Sequence, residues 1–180
     1  YLKLNPMGKM PTLEVDGQGI GESSIICDYL DDVYPQKSGL PADALGRARS
    51  RLVARIADLY LAQHVGPLFR NMNPDKRDPA AVDAAGKEIA KAYGYLEQVM
   101  DSGPFCVGKE PTLGDAALGT MTAMLHQMLA AGGFAITDPV GSGRLATWWK
   151  AVQDHAVCGP VIKEHGTAFG GFLKMMTGRK

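Results

Sequence analysis

The chain has 180 residues, 46% of them apolar, and its 19 basic residues balance 19 acidic ones. That balance argues against an electrostatic nucleic-acid binder, and the length allows one or two small domains with a sizeable core. No apolar run approaches the ~20 residues of a membrane span, and no membrane partner is expected. Cys27, Cys106 and Cys158 form no metal-type pair and leave one over from any disulfide set, so a reducing cytoplasm is the expected setting and no metal site is assigned.

Asn5-Pro6 with Gly8 reads as a turn, because proline fixes φ and glycine takes positive φ. Met10 precedes Pro11 and is pushed toward an extended conformation. Thr12-Leu13-Glu14-Val15 reads as a short strand, Asp16-Gly17 as a hairpin, and a second strand runs to about Gly21. Glu22-Ser23-Ser24 then opens a helix. An extended residue before a proline offers its N–H and C=O to an outside partner, as a sheet edge does. Ser23 and Ser24 stand where free N–H groups and the helix dipole favour a carboxylate. Glu22 suits an ammonium group, and Lys9 a second carboxylate. Amine, carboxylate and amide backbone together describe an amino-acid-like ligand. An ordinary hairpin and helix cap uses the same residues, and spacing alone favours that plainer reading.

From Ser23 to about Val33, Ile25, Ile26, Tyr29, Leu30 and Val33 share a helical face, with Cys27 near its buried side. The stretch from Gln36 to Pro41 is a polar linker with breakers and marks a domain boundary. A long helix follows from Asp43 to about His64, its stripe formed by Leu45, Ala48, Leu52, Ile56, Leu59 and Tyr60. Arg47, Arg49, Arg51 and Arg55 line its other faces as solvated charge, and Gly66-Pro67 should kink or break it. Asp78 caps the next helix with Pro79 at its first position. Thr112 and Asp115 have capping-box spacing, a structural role, ahead of a helix apolar nearly all round from Ala116 to Ala131. Cys106 reads as a packed thiol and His126 has no second metal ligand. Trp148 and Trp149 anchor a further helix. A short last helix starts near Pro160, and the tail from Phe169 to Met176 is apolar and broken by Gly170 and Gly171.

NPMGKMPTL, the hairpin and ESSIICDYLDDVYP together resemble the second half of the thioredoxin-like domain of cytosolic glutathione transferases. The stretch Phe105 to Asp115 resembles that family's second landmark, a folding motif in which the residues matching Thr112 and Asp115 are structural, with Gly114 where the family commonly has alanine. The resemblance implies a fold: α/β then all-α, with part of a thioredoxin-like domain over residues 1–36 and an all-helical domain of about five helices over residues 37–180. It implies that Pro11 follows a cis bond, that the Met10 backbone pairs with the cysteinyl part of glutathione, that Glu22 and Ser23 hold the γ-glutamyl end, and that Lys9 holds the glycyl carboxylate. The thiol-activating Ser, Tyr or Cys is expected upstream of Tyr1, in a β-α-β unit that the sequence does not include, so no catalytic residue is named.

The activity implied is a glutathione transferase that presents the glutathione thiolate, its co-substrate, to a small hydrophobic electrophile. Conjugation, dehalogenation, ether cleavage and isomerisation all use that thiolate. Tyr60, His64, Phe69 and Phe172 are the expected acceptor pocket, and a homodimer is the expected assembly. A non-catalytic glutathione-binding or scaffold module is the alternative. A helical interaction protein unrelated to glutathione would require the opening motif to be accidental.

Overall fold

The computed structural model describes Tyr1–Thr177 and opens on a two-stranded antiparallel hairpin. Its strands are β1 (Thr12–Val15) and β2 (Gln18–Gly21), in register from Thr12 opposite Gly21 to Val15 opposite Gln18. Asp16 (φ 49°) and Gly17 (φ 79°) make the turn, both in the left-handed region that a two-residue hairpin loop requires. The chain before the hairpin lies against β2. A Cβ on Gly19 would meet the Leu4 carbonyl oxygen at 2.0 Å, so only glycine fits there.

Helix α1 (Ser23–Val33) packs on the hairpin, yet none of its residues is buried. Ile25, Leu30 and Val33 are exposed, and so is Cys27, which the helical face had placed toward the interior. Two strands spaced about 4.8 Å apart are too narrow to cover the apolar side of such a helix. After a 3₁₀ turn at Pro35–Lys37, the linker is tied down at both ends. The Asp31 carboxylate accepts from Ser38 Oγ (2.9 Å) and Gly39 N (2.6 Å), while Leu113 N donates to Gly39 O (2.9 Å).

Helix α2 (Ala44–Ile56) is capped by Asp43, which accepts from Gly46 N at 2.8 Å. It passes through a π-helical turn at Ala57–Leu61 into α3 (Ala62–Arg70). The irregularity thus precedes Gly66-Pro67, and α3 runs on through Pro67. Asn71 Nδ2 donates to the Pro67 carbonyl (2.9 Å) and closes the last turn there. The buried face also differs from the expected stripe: Leu45, Leu52, Leu59 and Tyr60 are exposed. Gly46, Ser50, Val53, Ala54, Ile56, Ala57 and Leu61 are buried instead. Small residues win this face because the neighbouring helix comes in at backbone distance. A Cβ on Gly114 would lie 2.6 Å from the Ser50 oxygen, and Gly114 N donates to Ser50 Oγ at 3.1 Å. Of the arginines, Arg51, still exposed, pairs with Asp28 on α1 (3.0 Å), and Arg47 donates to the Pro41 and Ala42 carbonyls.

The rest of the bundle is α4 (Pro79–Val99), α5 (Leu113–Gly132), α6 (Gly143–Asp154) and α7 (Cys158–Thr177). Asp78 caps α4, accepting from Ala80 N and Ala81 N. Gly133, with φ 62°, ends α5. The last helix is long rather than short, and the glycines do not break it. Gly170 lies where α7 crosses α5, as does Gly166 one turn earlier, while Gly171 faces open space: a Cβ on Gly170 would sit 2.6 Å from Gln127 Oε1, and one on Gly166 would rest 3.8 Å from the Ala123 methyl. Leu96, Leu118, Met128, Trp148, Val152 and Leu173 are fully buried around α5. Tyr93 joins them, its hydroxyl 2.8 Å from Thr122 Oγ1.

Candidate functional site

Five residues singled out in the sequence, Lys9, Met10, Pro11, Glu22 and Ser23, flank the Thr12–Gly21 end of the hairpin. Thr12 stands opposite Gly21 as the last pair of the ladder, with Met10-Pro11 directly before Thr12 and Glu22-Ser23 directly after Gly21. The Met10–Pro11 bond is cis. Met10 is 87% exposed, and Lys9, Pro11, Glu22 and Ser23 are exposed beside it. Glu22 takes φ 65°, which few non-glycine residues do, and this turns the chain from β2 directly into α1. No side chain caps α1, so its first N–H groups are open to a ligand. The mouth therefore offers an unpaired backbone edge, a helix N-terminus, one carboxylate and one ammonium group.

The four residues expected to form an acceptor pocket do not all converge. Phe69 and Phe172 stack, ring centres 6.1 Å apart and planes 16° from parallel, and Phe169 packs on Phe172. Phe69 also lines a hollow of about 310 Å³ with Arg70, Met72 and Met176. Tyr60 instead meets Tyr95 of α4 edge to face at 5.9 Å. His64 is half-buried on α3. A roomier groove of about 760 Å³ between α5, α6 and α7 is lined by His126, Trp149 and Lys163 and shares no residue with the mouth. His126 is already held there by Asp138 at 2.9 Å, so the chemistry of the mouth outweighs the size of the groove.

Comparison with known proteins bears on both halves of this arrangement. Residues 1–38 match the family model of the glutathione S-transferase N-terminal domain, and residues 79–151 match that of the C-terminal domain. The rat (Rattus norvegicus) maleylacetoacetate isomerase is 35% identical over 127 residues, 68% of this chain and 56% of that protein. A rice glutathione transferase solved in complex with glutathione superposes with a TM-score of 0.73 at 27% identity, over 98% of this chain and 79% of the other. The holo structure of a bacterial zeta-class maleyl pyruvate isomerase shares the fold (TM-score 0.63, 23% identity, 93% and 77% covered).

The chain belongs to the glutathione transferase superfamily. It spans about half the length of the maleylacetoacetate isomerases it matches. The hairpin and α1 fall within the match to the N-terminal, thioredoxin-like domain, and α4, α5 and most of α6 within the match to the helical C-terminal domain.

In this transferase-family chain Asp115 is fully buried, and its carboxylate accepts from four donors. These are Thr112 N (2.7 Å), Thr112 Oγ1 (2.8 Å), Cys106 N (2.8 Å) and Trp148 Nε1 (2.9 Å). The capping box is thus the centre of a network joining the loop at 105–112 to α5 and α6, and every oxygen lone pair it uses is spent on structure. The Cys106 thiol beside it is pushed well up, first by burial and then by the Asp115 charge, so it stays protonated and unreactive. Two contributions escaped the sequence reading. The Asp28–Arg51 pair crosses between helices and has no local signature. Asn5, read only as a turn residue, is the buried polar residue of the hairpin end; its bond to Met7 N two residues on is the Asx-turn pattern that could have marked it.

Proposed function

We propose that the mouth binds glutathione and that the chain serves a glutathione-dependent reaction on a small apolar electrophile. What carries the reading is the exposed Met10 just beyond the Thr12–Gly21 end of the hairpin, with exposed Glu22 and Ser23 leading from the same end into an uncapped helix N-terminus. The Met10 N–H and C=O pair with the cysteinyl residue, Ser23 and the first turn of α1 take the γ-glutamyl carboxylate, Glu22 takes its ammonium group, and Lys9 takes the glycyl carboxylate. The stacked rings of Phe69 and Phe172 are assigned as apolar surface for the acceptor.

Among thiol reactions, reversible cis–trans isomerisation fits the relatives best, since the rat homologue is named for it. The glutathione thiolate adds to a conjugated double bond, forming a C–S bond while the π electrons move onto the carbonyl oxygen. Rotation about the resulting single bond follows, and elimination restores double bond and thiolate. A free thiol has a pKa near ~8.5, so the thiolate must be held by a charge or hydrogen bond, a role we give to no residue of this chain. Leu45, Leu52, Leu59 and Tyr60 form an exposed apolar face on the long helix that suits a second copy of the chain, and the protein works as a cytoplasmic homodimer. No described helix is long and apolar enough to cross a membrane.

Titration calorimetry tests the binding step. Glutathione should bind saturably, and Glu22→Ala and Ser23→Ala should each weaken it roughly tenfold, as expected for losing a hydrogen bond to a charged group. Unchanged affinity in both variants would overturn the assignment of the mouth. Binding without turnover of a maleyl substrate would identify a glutathione-binding module in place of an isomerase.

A further inference from the structure

Among residues 1–39 a single side chain is buried, and it is an amide: Asn5, 2% exposed. A turn at Asn5-Pro6 needs only the bond from Met7 N to Asn5 Oδ1 (3.0 Å). The other end of the side chain does more. Asn5 Nδ2 donates to the Lys9 carbonyl (2.8 Å) and to Thr12 Oγ1 (2.9 Å), one residue before and one residue after the Met10–Pro11 pair. The Tyr1 hydroxyl donates to the same Lys9 carbonyl and lies 2.7 Å from Thr12 Oγ1. Asn5 has no freedom to shift: its backbone N donates to Tyr1 O, its carbonyl accepts from Gly8 N, and a Cβ on Gly21 would already lie 3.2 Å from its Nδ2.

The consequence follows from peptide geometry. The Lys9–Met10 bond is trans, and in a trans peptide the C=O and N–H point in opposite directions. With the Lys9 oxygen drawn inward by Asn5 Nδ2, the Tyr1 hydroxyl and, at 3.5 Å, Thr12 Oγ1, the Met10 N–H is turned outward, away from Asn5. We propose that Asn5 is a positioning residue for glutathione: by holding the Lys9 carbonyl it aims the Met10 N–H at the cysteinyl part of the ligand, which it does not itself touch. This rests on the glutathione reading above. It adds a residue that acts before any ligand arrives, fixing the direction of one donor so that binding does not have to order it. The amide is the fitting side chain, because it must accept from one backbone N–H while donating to two oxygens.

The test is Asn5→Asp in the 180-residue chain. This isosteric change keeps the acceptor for Met7 N and replaces both donors with an oxygen facing the Lys9 carbonyl. Calorimetry should show glutathione bound at least tenfold more weakly. Amide hydrogen exchange supplies a readout that a general structural role would not move. In the wild-type chain glutathione should slow exchange of the Met10 amide. In Asn5→Asp at saturating glutathione that protection should be lost, while the amides of β1 and β2 keep theirs. Wild-type affinity with Met10 still protected would overturn the proposal.

If Asn5→Asp unzips the hairpin, Tyr1→Phe decides. It removes the exposed second donor to the same carbonyl and should weaken glutathione two- to threefold with the hairpin intact, and unchanged affinity overturns the proposal. A wild-type chain that takes up no glutathione would overturn the reading beneath the proposal as well. A wild-type chain that binds, beside an Asn5→Asp variant that binds equally, would sink the role of Asn5 alone.

Discussion

In the first 39 residues the one buried side chain is an amide, and the apolar side of α1 is left open to solvent. In the bundle Leu96, Leu118, Met128, Trp148 and Val152 are dry, and the buried carboxylate of Asp115 has every donor it needs. Burial of apolar surface is the main stabilising term in folding, so the bundle carries the stability. The hairpin end is shaped by a few polar bonds. The division suits the proposed roles: a surface that offers unpaired N–H groups to a ligand cannot also be covered by its own chain, and local stability is lowest where burial is thinnest.

The contrast is attacked most directly at Asp115. Asp115→Ala strips the acceptor from Cys106 N, Thr112 N, Thr112 Oγ1 and Trp148 Nε1 at once. Leaving several buried donors without partners should cost about 3–5 kcal/mol. A urea unfolding curve followed by tryptophan fluorescence measures it. A loss below about 1 kcal/mol would mean that water replaces the carboxylate and that this part of the bundle is less closed than its burial implies.

Thiol chemistry gives a second, smaller effect. Burial and the Asp115 charge hold Cys106 in its neutral form, and burial likewise raises the Tyr93 hydroxyl. The folded state therefore keeps a proton that the unfolded chain gives up. This contribution is fully present below the unfolded thiol value near ~8.5 and is eroded above it, by up to ~1.4 kcal/mol per pH unit for one group. Stability measured from pH 7 to 10 should fall through that window, and a Cys106→Ala variant should fall less. At pH 8 a thiol reagent should modify exposed Cys27 promptly and Cys106 only on unfolding. Equal rates would erase the distinction between the two regions.

What the sequence disclosed was mostly local. Asp78-Pro79, Thr112 with Asp115, and Asp16-Gly17 each act on a backbone group within three residues, so their helix starts and turn could be read from the letters. The mouth was legible for the same reason, as Met10-Pro11 and Glu22-Ser23 lie on either side of one short hairpin. The long helix was misread because it carries two stripes. Leu45, Leu52 and Leu59 make the more hydrophobic one, but Gly46, Ser50, Ala54 and Ala57 let α5 approach its backbone, and close packing took the smaller side. The π turn at Ala57–Leu61 then shifts the helical register, so no single periodicity extends through it. Gly170 misled in the opposite direction. It looked like a helix breaker until its partner on α5, Gln127, came into view.

The seam between the two regions yields the smallest effect. Arg51 and Asp28 are the ion pair across it, 3.0 Å apart and partly exposed at 45% and 29% of their side chains. Such pairs contribute roughly 0.2–1 kcal/mol and weaken with salt. The rest of the seam is backbone and short side chain: Leu113 N to Gly39 O, and Ser38 Oγ and Gly39 N to Asp31. Those bonds fix the linker whether or not the ion pair forms. A double-mutant cycle of Arg51→Ala and Asp28→Ala, read by urea unfolding at low and high salt, should give a coupling under 1 kcal/mol that fades at 1 M salt. A salt-insensitive coupling above 2 kcal/mol would show that charge, rather than the linker, fastens the hairpin to the bundle, and that the two regions unfold as one.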